Sequence, residues 1–491
     1  MKSFHTPLLV LRLALAGVFG SLAQAAPAHS AWERSLVSIE VTSNEYDYHQ
    51  PWSKQTESHR KTGVVVGPRQ VLTTADDMAD LTLVRLQKGG RDKWWNGHLD
   101  WIDYHANMAL LTVAEPAFWS DLRPVRLADP VPTKGEVEVQ RWREGGLEAR
   151  KGDINRVTVK RGKLTIIDYL HLEITCEIKA ADSAEAVTRG NRLAGLVVAQ
   201  DGTMCTVLPS SFIQPILEAH RQAKYPGLGY FAFVWQRAQN PALHHLLKQE
   251  GEPQGVVVVE TPARGGNQDV LKPRDVLLQV DGFDIDIQGD YIDPAYGKLQ
   301  LENLSTRGHW AGDEVRLKIW RDGAVKEVRY RLPKADYSAE LVPLSVFDQE
   351  PEYLVLGGMV FQPLTGPYLR AWGNEWRRRV PFRLAYYDQE KPTAQRPSVV
   401  ILSMVLPDPY NLGYQDNRYL AVNQINGRRI ATLADVSKAL EQPRDGFHIL
   451  EFDRGDSLNR LVLDAATAET ATQRVLQRYG IQKDRVLSAP R

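Results

Sequence analysis

The most constraining feature of this sequence is a succession of short apolar runs between residues 35 and 217, separated by turns rich in Gly, Pro and Asp. Examples are Leu36-Val-Ser-Ile-Glu-Val41, Met108-Ala-Leu-Leu-Thr-Val113 and Leu193-Ala-Gly-Leu-Val-Val198. No helical spacing connects these runs, and many short strands between turn residues are typical of an all-β barrel or sandwich. We expect a closing helix to begin near Pro209.

Length and charge narrow the class of protein. A chain of 491 residues, 43% of them hydrophobic, is long enough for two to four globular domains. Its 60 basic and 60 acidic residues give a formal net charge of +0, which favours neither nucleic acid nor an anionic membrane surface as a partner. We therefore expect protein or peptide partners. No spacing of ligands predicts a metal site or a cofactor.

The first 25 residues have the pattern of a secretory signal peptide. Lys2 and Arg12 supply positive charge, residues 13–22 form a short apolar run, and Ala23-Gln-Ala25 is a small-residue cleavage site. A retained membrane anchor is the alternative, but a span needs about 20 apolar residues. The pattern predicts cleavage near Ala25, no membrane span after signal removal, and a periplasmic or secreted protein.

A group of short motifs resembles the Deg/HtrA serine proteases, most closely the long plant-type members. These motifs are Pro51-Trp52, Val71-Leu-Thr-Thr-Ala75, Ala109-Leu-Leu-Thr-Val113, Phe118-Trp119, Gly145-Gly146 and the spacing to Asp182-Ser183. The resemblance extends from about Leu36 to the C-terminus. It implies a mostly β protein in which a chymotrypsin/trypsin-like double β-barrel is followed by two α+β PDZ domains. The implied boundaries are 33–218 for the barrels, 224–334 and 343–466 for the PDZ domains, and 467–491 for a C-terminal helix and tail.

The same resemblance locates the positions of a catalytic triad. The histidine position is occupied by Asp76, the aspartate position by Asn107, and the nucleophile position by Ser183. A carboxylate with a pKa near ~4 is a poor acceptor for a serine proton. Ala181 replaces a glycine whose conformational freedom helps to form the oxyanion hole. These changes predict a pseudoprotease.

Retention of Ser183 leaves an alternative open, an active serine endopeptidase with a non-standard base. His105 and Lys179 are the other residues considered for that base. Neither lies where the family places one.

The resemblance also assigns a peptide-binding loop to the first PDZ domain. The residues Gly227, Leu228, Gly229 and Tyr230 match the loop that receives a peptide carboxylate, and Phe231 opens a strand, 231–234, that a bound peptide would extend. We expect this domain to bind protein C-termini or unfolded polypeptides. In the degenerate second domain, strands are expected at 356–361, 399–405 and 422–427 and a helix at 433–440, without an evident carboxylate loop.

The two cysteines, Cys176 and Cys205, fall in strand-like segments. An oxidising compartment would permit a disulfide between them, and buried free thiols are the alternative.

Taken with the resemblance, these features favour an exported binding protein, acting as a scaffold, chaperone or regulator in envelope protein quality control. The family implies a homo-oligomer, a trimer or a multiple of one, or co-assembly with active Deg proteases. Trp32 and the tyrosines within residues 46–48 are candidate assembly contacts.

Overall fold

The computed structural model describes residues 31–91, 93–143, 145–178, 184–249, 251–261, 267, 269–453 and 460–488. The predicted signal peptide, Lys179, Ala181, Asp182 and Ser183 lie outside the described residues. No helix in the described part of the chain is both long and apolar enough to cross a membrane.

The first β-barrel is closed, with its six antiparallel strands in the order β1-β2-β3-β6-β5-β4. The strands are β1 (Leu36–Tyr46), β2 (Lys54–Gly67), β3 (Gln70–Thr73), β4 (Leu81–Lys88), β5 (Trp94–Asp103) and β6 (Met108–Val113). Alternate residues point into the barrel because side chains alternate across a strand. Val37, Ile39 and Val41 of β1 are accordingly buried in one apolar cluster with Leu111 of β6.

The second barrel follows a short helix, α1 (Pro116–Trp119). Its strands are β7 (Arg126–Leu127), β8 (Gly135–Arg143), β9 (Gly146–Arg161), β10 (Asp168–Cys176), β11 (Ala186–Arg189), β12 (Arg192–Asp201) and β13 (Met204–Pro209). They run in the order β11-β8-β9-β10-β13-β12-β7, and an added β11–β12 pairing closes six of them into a ring. The expected closing helix is α2 (Ser210–Arg221). The predicted double β-barrel is therefore confirmed.

Both cysteines lie in this second barrel as buried free thiols. Cys176 ends β10 and Cys205 lies in β13, the neighbouring strand, where Cys205 pairs with Ile174 rather than with Cys176. The disulfide considered from the sequence is thus not present in this structure. Burial raises the pKa of both thiols, which disfavours the thiolate that disulfide exchange requires.

The third unit has the PDZ-like mixture of a small sheet and short helices. Its elements are β14 (Val234–Gln236), α3 (Pro241–Leu246), β15 (Val256–Glu260), β16 (Val276–Val280), β17 (Phe283–Asp284), β18 (Asp290–Asp293), β19 (Gly297–Gln300), a 3₁₀ turn (Leu301–Ser305), β20 (Glu314–Arg321) and β21 (Ala324–Arg331). The main sheet runs β14-β15-β16-β20-β21, so β14 is an edge strand.

The fourth unit is a larger sheet with the order β28-β27-β25-β24-β23-β22-β29. Its strands are β22 (Tyr353–Leu356), β23 (Met359–Pro363), β24 (Val400–Val405), β25 (Leu420–Ile425), β26 (Arg428–Arg429), β27 (Phe447–Phe452), β28 (Arg460–Asp464) and β29 (Arg485–Val486). Its helices are α4 (Gly366–Arg370), α5 (Trp376–Arg379), α6 (Phe382–Tyr387), α7 (Leu433–Leu440) and α8 (Ala468–Tyr479). The single strand expected at 356–361 is wrong, because Gly357 and Gly358 form a hairpin turn within it.

Candidate functional site

The structure brings two of the three triad positions together. Asp76 follows β3, and its backbone N–H donates a hydrogen bond of 3.0 Å to Oδ1 of Asn107. Asn107 is buried just before β6 with a φ of 52°, a left-handed conformation that asparagine tolerates well. The two residues that the sequence assigns to the histidine and aspartate positions are therefore in direct contact, through the backbone of one and the side chain of the other.

The carboxylate of Asp76 is engaged by a lysine from the other barrel. Lys163 lies in the turn between β9 and β10, and its Nζ is 2.5 Å from Oδ2 of Asp76. The Asp76 side chain is only 5% exposed, whereas that of Lys163 is 52% exposed. The ion pair therefore joins the two barrels at the position where a protease would hold its base.

A second lysine, Lys61 of β2, lies beneath Asp76. Its residue exposure is 4%, and its Nζ donates a hydrogen bond to the backbone oxygen of Asp76. The pKa of Lys61 is lowered to about 8, chiefly by burial and to a lesser extent by Lys163, while the carboxylates of Asp77, Asp76 and Glu185 oppose that shift. A buried lysine with such a pKa is a chemically distinctive group.

Sequence reasoning missed Lys61 and Lys163. The one signal for Lys61 was its position two residues before Gly63, whose missing side chain faces the barrel interior against Val71 and Ile39. Side chains two residues apart on a strand share a face. Lys163 gave no signal, because its contact with Asp76 joins residues 87 positions apart.

The backbone next to the nucleophile position keeps a conformation suited to glycine. Ala184 has a φ of 63° and donates its N–H to the oxygen of Val197 over 2.8 Å. The family has glycine at this position, and an alanine there is strained by its Cβ. Ser183 itself lies outside the described residues, so its predicted role stays a prediction.

His105, one of the two alternative bases, is engaged elsewhere. Its Nδ1 is 2.8 Å from Oγ1 of Thr165, and its ring stacks on Tyr337 with a centroid distance of 4.0 Å. Burial lowers the pKa of His105. The ring is thus packed between the second barrel and a segment that follows the third unit.

The predicted carboxylate loop precedes the edge strand of the third unit. Gly227 has a φ of 111°, Gly229 forms a backbone bridge with Lys334, and Leu228 is buried in the apolar cluster shared by the two barrels. Tyr230 packs against that cluster, and Phe231 packs against Tyr330. The loop is therefore anchored to the barrels on one side and leads into β14 on the other.

The strand expected at 231–234 begins later, at Val234. Ala232 donates its N–H to the hydroxyl of Tyr330, and the ring of Phe233 packs on the same tyrosine. Those contacts hold residues 231–233 against β21, and the free edge is the short segment Val234–Gln236.

In the described part of the fourth unit, the strand that follows the glycine turn is paired on both sides. Strand β23 pairs with β22 on one side and with β24 on the other. The turn itself is covered: Thr472 of α8 accepts the N–H of Gly357 over 2.7 Å, and Asn411 donates to the Gly357 oxygen over 2.7 Å. Both backbone groups of Gly357 are thus bonded within the unit.

Two β-barrels followed by two smaller units of mixed sheet and helix are the architecture of a trypsin-like protease fold joined to PDZ-like units. A family model for a PDZ domain matches residues 342–487. That range includes α8, which the sequence had set apart from the second PDZ domain.

Curated relatives extend the comparison to most of the chain. Protease Do-like 2, chloroplastic, of Arabidopsis thaliana is 25% identical and aligns with 92% of this chain and 74% of the relative. Protease Do-like 4, mitochondrial, of the same plant is 24% identical over 88% of this chain and 81% of the relative. This chain is therefore a homologue of the Deg/HtrA proteases over most of its length and carries a PDZ domain.

Among solved structures, the HtrA-type protease AlgW with a decapeptide is similar in fold. It is 15% identical, and the match covers 62% of this chain and 97% of that chain with a TM-score of 0.47.

The ion pair between the barrels can be tested with Lys163→Met. This change leaves a nearly buried carboxylate without its partner, and the half-exposed lysine limits the loss to about 1–3 kcal/mol in the free energy of unfolding. Urea unfolding followed by tryptophan fluorescence measures it. Arg161→Met, which removes the more exposed pair with Asp168 in the same hairpin, is the control and should cost less than about 1 kcal/mol. Equal losses would contradict a special role for Lys163.

The buried Lys61 predicts a pH dependence of stability. Its folded pKa of about 8 lies below the usual lysine pKa of 10.5, so between these values the unfolded state binds a proton that the folded state does not. Stability contributed by Lys61 therefore increases as pH rises through this window, by roughly 2–3 kcal/mol. The contribution of Lys61 is isolated by measuring the free energy of unfolding of wild type and of Lys61→Met at pH 7.5 and at pH 10. A difference between the two proteins that does not vary with pH would refute it.

Proposed function

We propose that this protein is an exported Deg/HtrA-type pseudoprotease that binds peptides or unfolded polypeptides through its first PDZ module. In this role it acts as a scaffold, chaperone or regulator in envelope protein quality control. The observation that carries the proposal is the ion pair between Asp76 and Lys163. It commits the side chain at the base position to holding the barrels together.

Serine acyl transfer needs a base that accepts the hydroxyl proton and returns it to the leaving group. The carboxylate at the predicted base position is instead engaged by the ammonium group of Lys163 at 2.5 Å, and it lacks the second nitrogen with which an imidazole is oriented by a neighbouring carboxylate. Asn107 presents an amide oxygen to a backbone N–H and carries no charge with which to stabilise an imidazolium. Both changes support a barrel pair without proteolytic turnover.

The edge strand β14 supports the binding role. An extended peptide can add to an unpaired strand edge through main-chain hydrogen bonds, and its carboxylate can be held by the N–H groups of the preceding loop. In this chain three residues separate the loop at residues 227–230 from β14, which among the described residues pairs with β15 alone. The fourth unit, whose glycine turn is covered, has a structural role in this proposal.

Export and assembly complete the proposal. The signal-like residues 1–25 support release into a periplasmic or extracellular space. Assembly as a trimer or a multiple, or together with active Deg proteases, rests on the family. Of the candidate assembly residues, Trp32 donates to the oxygen of Gly190, and Tyr48 packs against the fourth unit, so both also have partners within the chain.

Lys61 supports a second candidate, an active serine hydrolase. Lysines with a pKa lowered to about 7–8 serve as general bases. The pKa of Lys61 is lowered to about 8, and the lysine interacts electrostatically with Glu185, two residues after Ser183. This candidate requires Ser183 and Lys61 together.

The deciding experiment is hydrolysis of an unfolded substrate, with fluorophosphonate labelling in parallel, for the purified mature protein. Wild type, Ser183→Ala and Lys61→Met are compared. We expect neither cleavage nor labelling in any of them. Cleavage and labelling in wild type that both variants abolish would overturn the pseudoprotease proposal and establish Lys61 as the base.

Peptide binding is tested with Gly227→Ala. The φ of 111° at Gly227 is poorly tolerated by a residue with a Cβ, so we expect the loop to distort and affinity for peptides with a free C-terminal carboxylate to fall at least about tenfold. Fluorescence polarisation measures this affinity with a set of peptides, and the same peptides with an amidated C-terminus show how much of it depends on the carboxylate. Gly282→Ala carries comparable strain at φ 85° in the turn after β16 and should bind normally. Equal affinities for the two variants would argue against this loop.

A further inference from the structure

The segment after the third unit crosses the face where the two barrels meet. Here residues 336–350 are called the strap. Near its start, Tyr337 stacks on His105 with a centroid distance of 4.0 Å and an interplanar angle of 11°. The hydroxyl of Tyr337 also donates to the backbone oxygen of Leu164, next to Lys163. A single residue of the strap, Tyr337, therefore contacts both barrels.

The far end of the strap makes a second attachment to the first barrel. Phe347 stacks on Tyr104 with a centroid distance of 3.9 Å and an interplanar angle of 12°. Asp348 accepts hydrogen bonds from the Tyr104 hydroxyl over 2.7 Å and from the N–H of Asp80 over 2.9 Å. Between the two attachments, Leu341 and Val342 are buried in a cluster of the fourth unit.

These attachments flank the degenerate triad. Tyr104 and His105 lie three and two residues before Asn107, Leu164 follows Lys163, and Asp80 lies four residues after Asp76. The strap is thus attached to segments of both barrels that lie within four residues of Asp76, Asn107 or Lys163.

The second attachment places like charges together. The carboxyl of Asp80 is near Asp348 and Glu350 of the strap, and only Lys54 opposes their effect. The groups that face Asp80 are Asp348, Glu350, Lys54, Tyr46, Tyr48 and Tyr104. Burial, followed by these two carboxylates, raises the pKa of Asp80 from 3.8 to about 6.

We propose that the strap is an intramolecular cover of the cleft between the barrels, and that acid strengthens its hold through Asp80. When Asp80 is ionised, its negative charge repels Asp348 and Glu350. When Asp80 is protonated, the repulsion is lost while the two hydrogen bonds to Asp348 remain. The proposal holds whether or not Ser183 is reactive.

The sign of the pH effect on docking follows from the raised pKa of Asp80. The carboxylates of the docked strap raise the Asp80 pKa, so the docked state binds more protons between pH 4 and 6 than the released state. Docking is weakest above pH 6 and strengthens as the pH falls. Burial is the largest cause of the shift from 3.8 to about 6, and the strap carboxylates add to it, so the docking equilibrium changes by at most roughly tenfold between pH 8 and pH 5.

Hydrogen–deuterium exchange of the full mature chain at pH 5 and pH 8, corrected for the intrinsic exchange rate, tests the proposal. The reporters are peptides that contain the strap and the N–H of Asp80, whose hydrogen-bond acceptor is Asp348. In wild type we expect stronger protection at pH 5, by up to about tenfold. Asp80→Asn should give strong protection at both pH values, whereas Asp100→Asn, an exposed aspartate in β5, should behave as wild type.

A second pair of variants tests the docking itself. Tyr337→Ala should weaken protection of the strap at both pH values by at least about fivefold, because a ring stack and a hydrogen bond are lost. Tyr386→Ala, an exposed tyrosine of α6, is the control. Circular dichroism confirms that each variant is folded. The proposal would be overturned if the strap were equally protected in the two tyrosine variants. It would also be overturned if protection of the strap in wild type did not depend on pH. Neither experiment depends on peptide affinity or on serine labelling. A failure of the strap proposal can therefore be distinguished from a failure of the proposed function.

Discussion

The architecture of the cleft depends on one buried negative charge. A carboxylate held almost out of water needs a partner, because an uncompensated charge in the interior costs several kcal/mol. Asp76 obtains its partner, Lys163, from the opposite barrel. A position that in a protease moves a proton here carries a fixed electrostatic link. The nearby Lys61 adds a second positive group, and its lowered pKa shows how strongly this site disfavours charge without compensation.

The two PDZ-like units differ in how their sheet edges are paired. Among the described residues of the third unit, β14 pairs with a strand on one side and not on the other, and a loop in which Gly227 has a φ of 111° comes before it. In the fourth unit, β22 lies along β23 where a ligand strand would otherwise add, and α8 caps the turn through Thr472. Unpaired edges attract other strands. The chain therefore retains one such edge beside a carboxylate loop and covers the corresponding site in the other unit.

Local sequence patterns were sufficient to predict the two barrels and part of the candidate site. The short apolar runs became the strands of two closed barrels, and the positions of Asp76 and Asn107 proved to be in contact. The partners of these residues were not predictable, because Lys163 and Lys61 reach Asp76 only after distant strands have paired. The strand starting at Val234 instead of Phe231 has a similar cause: Tyr330, about a hundred residues later, holds Ala232 and Phe233 out of the sheet. A Gly-Gly pair between apolar residues is a hairpin signal, and it explains why 356–361 is two strands.

The attachment of the strap also has a consequence for the order of folding. Asp80 and Asp348 are 268 residues apart in sequence, and Tyr104 and Asp348 are 244 apart. Contacts of such separation form late, because the loop between them must be ordered first. Domains made early in synthesis generally fold before later ones. The barrels should thus complete folding with their cleft open, and the cleft should become covered only when the last third of the chain has emerged.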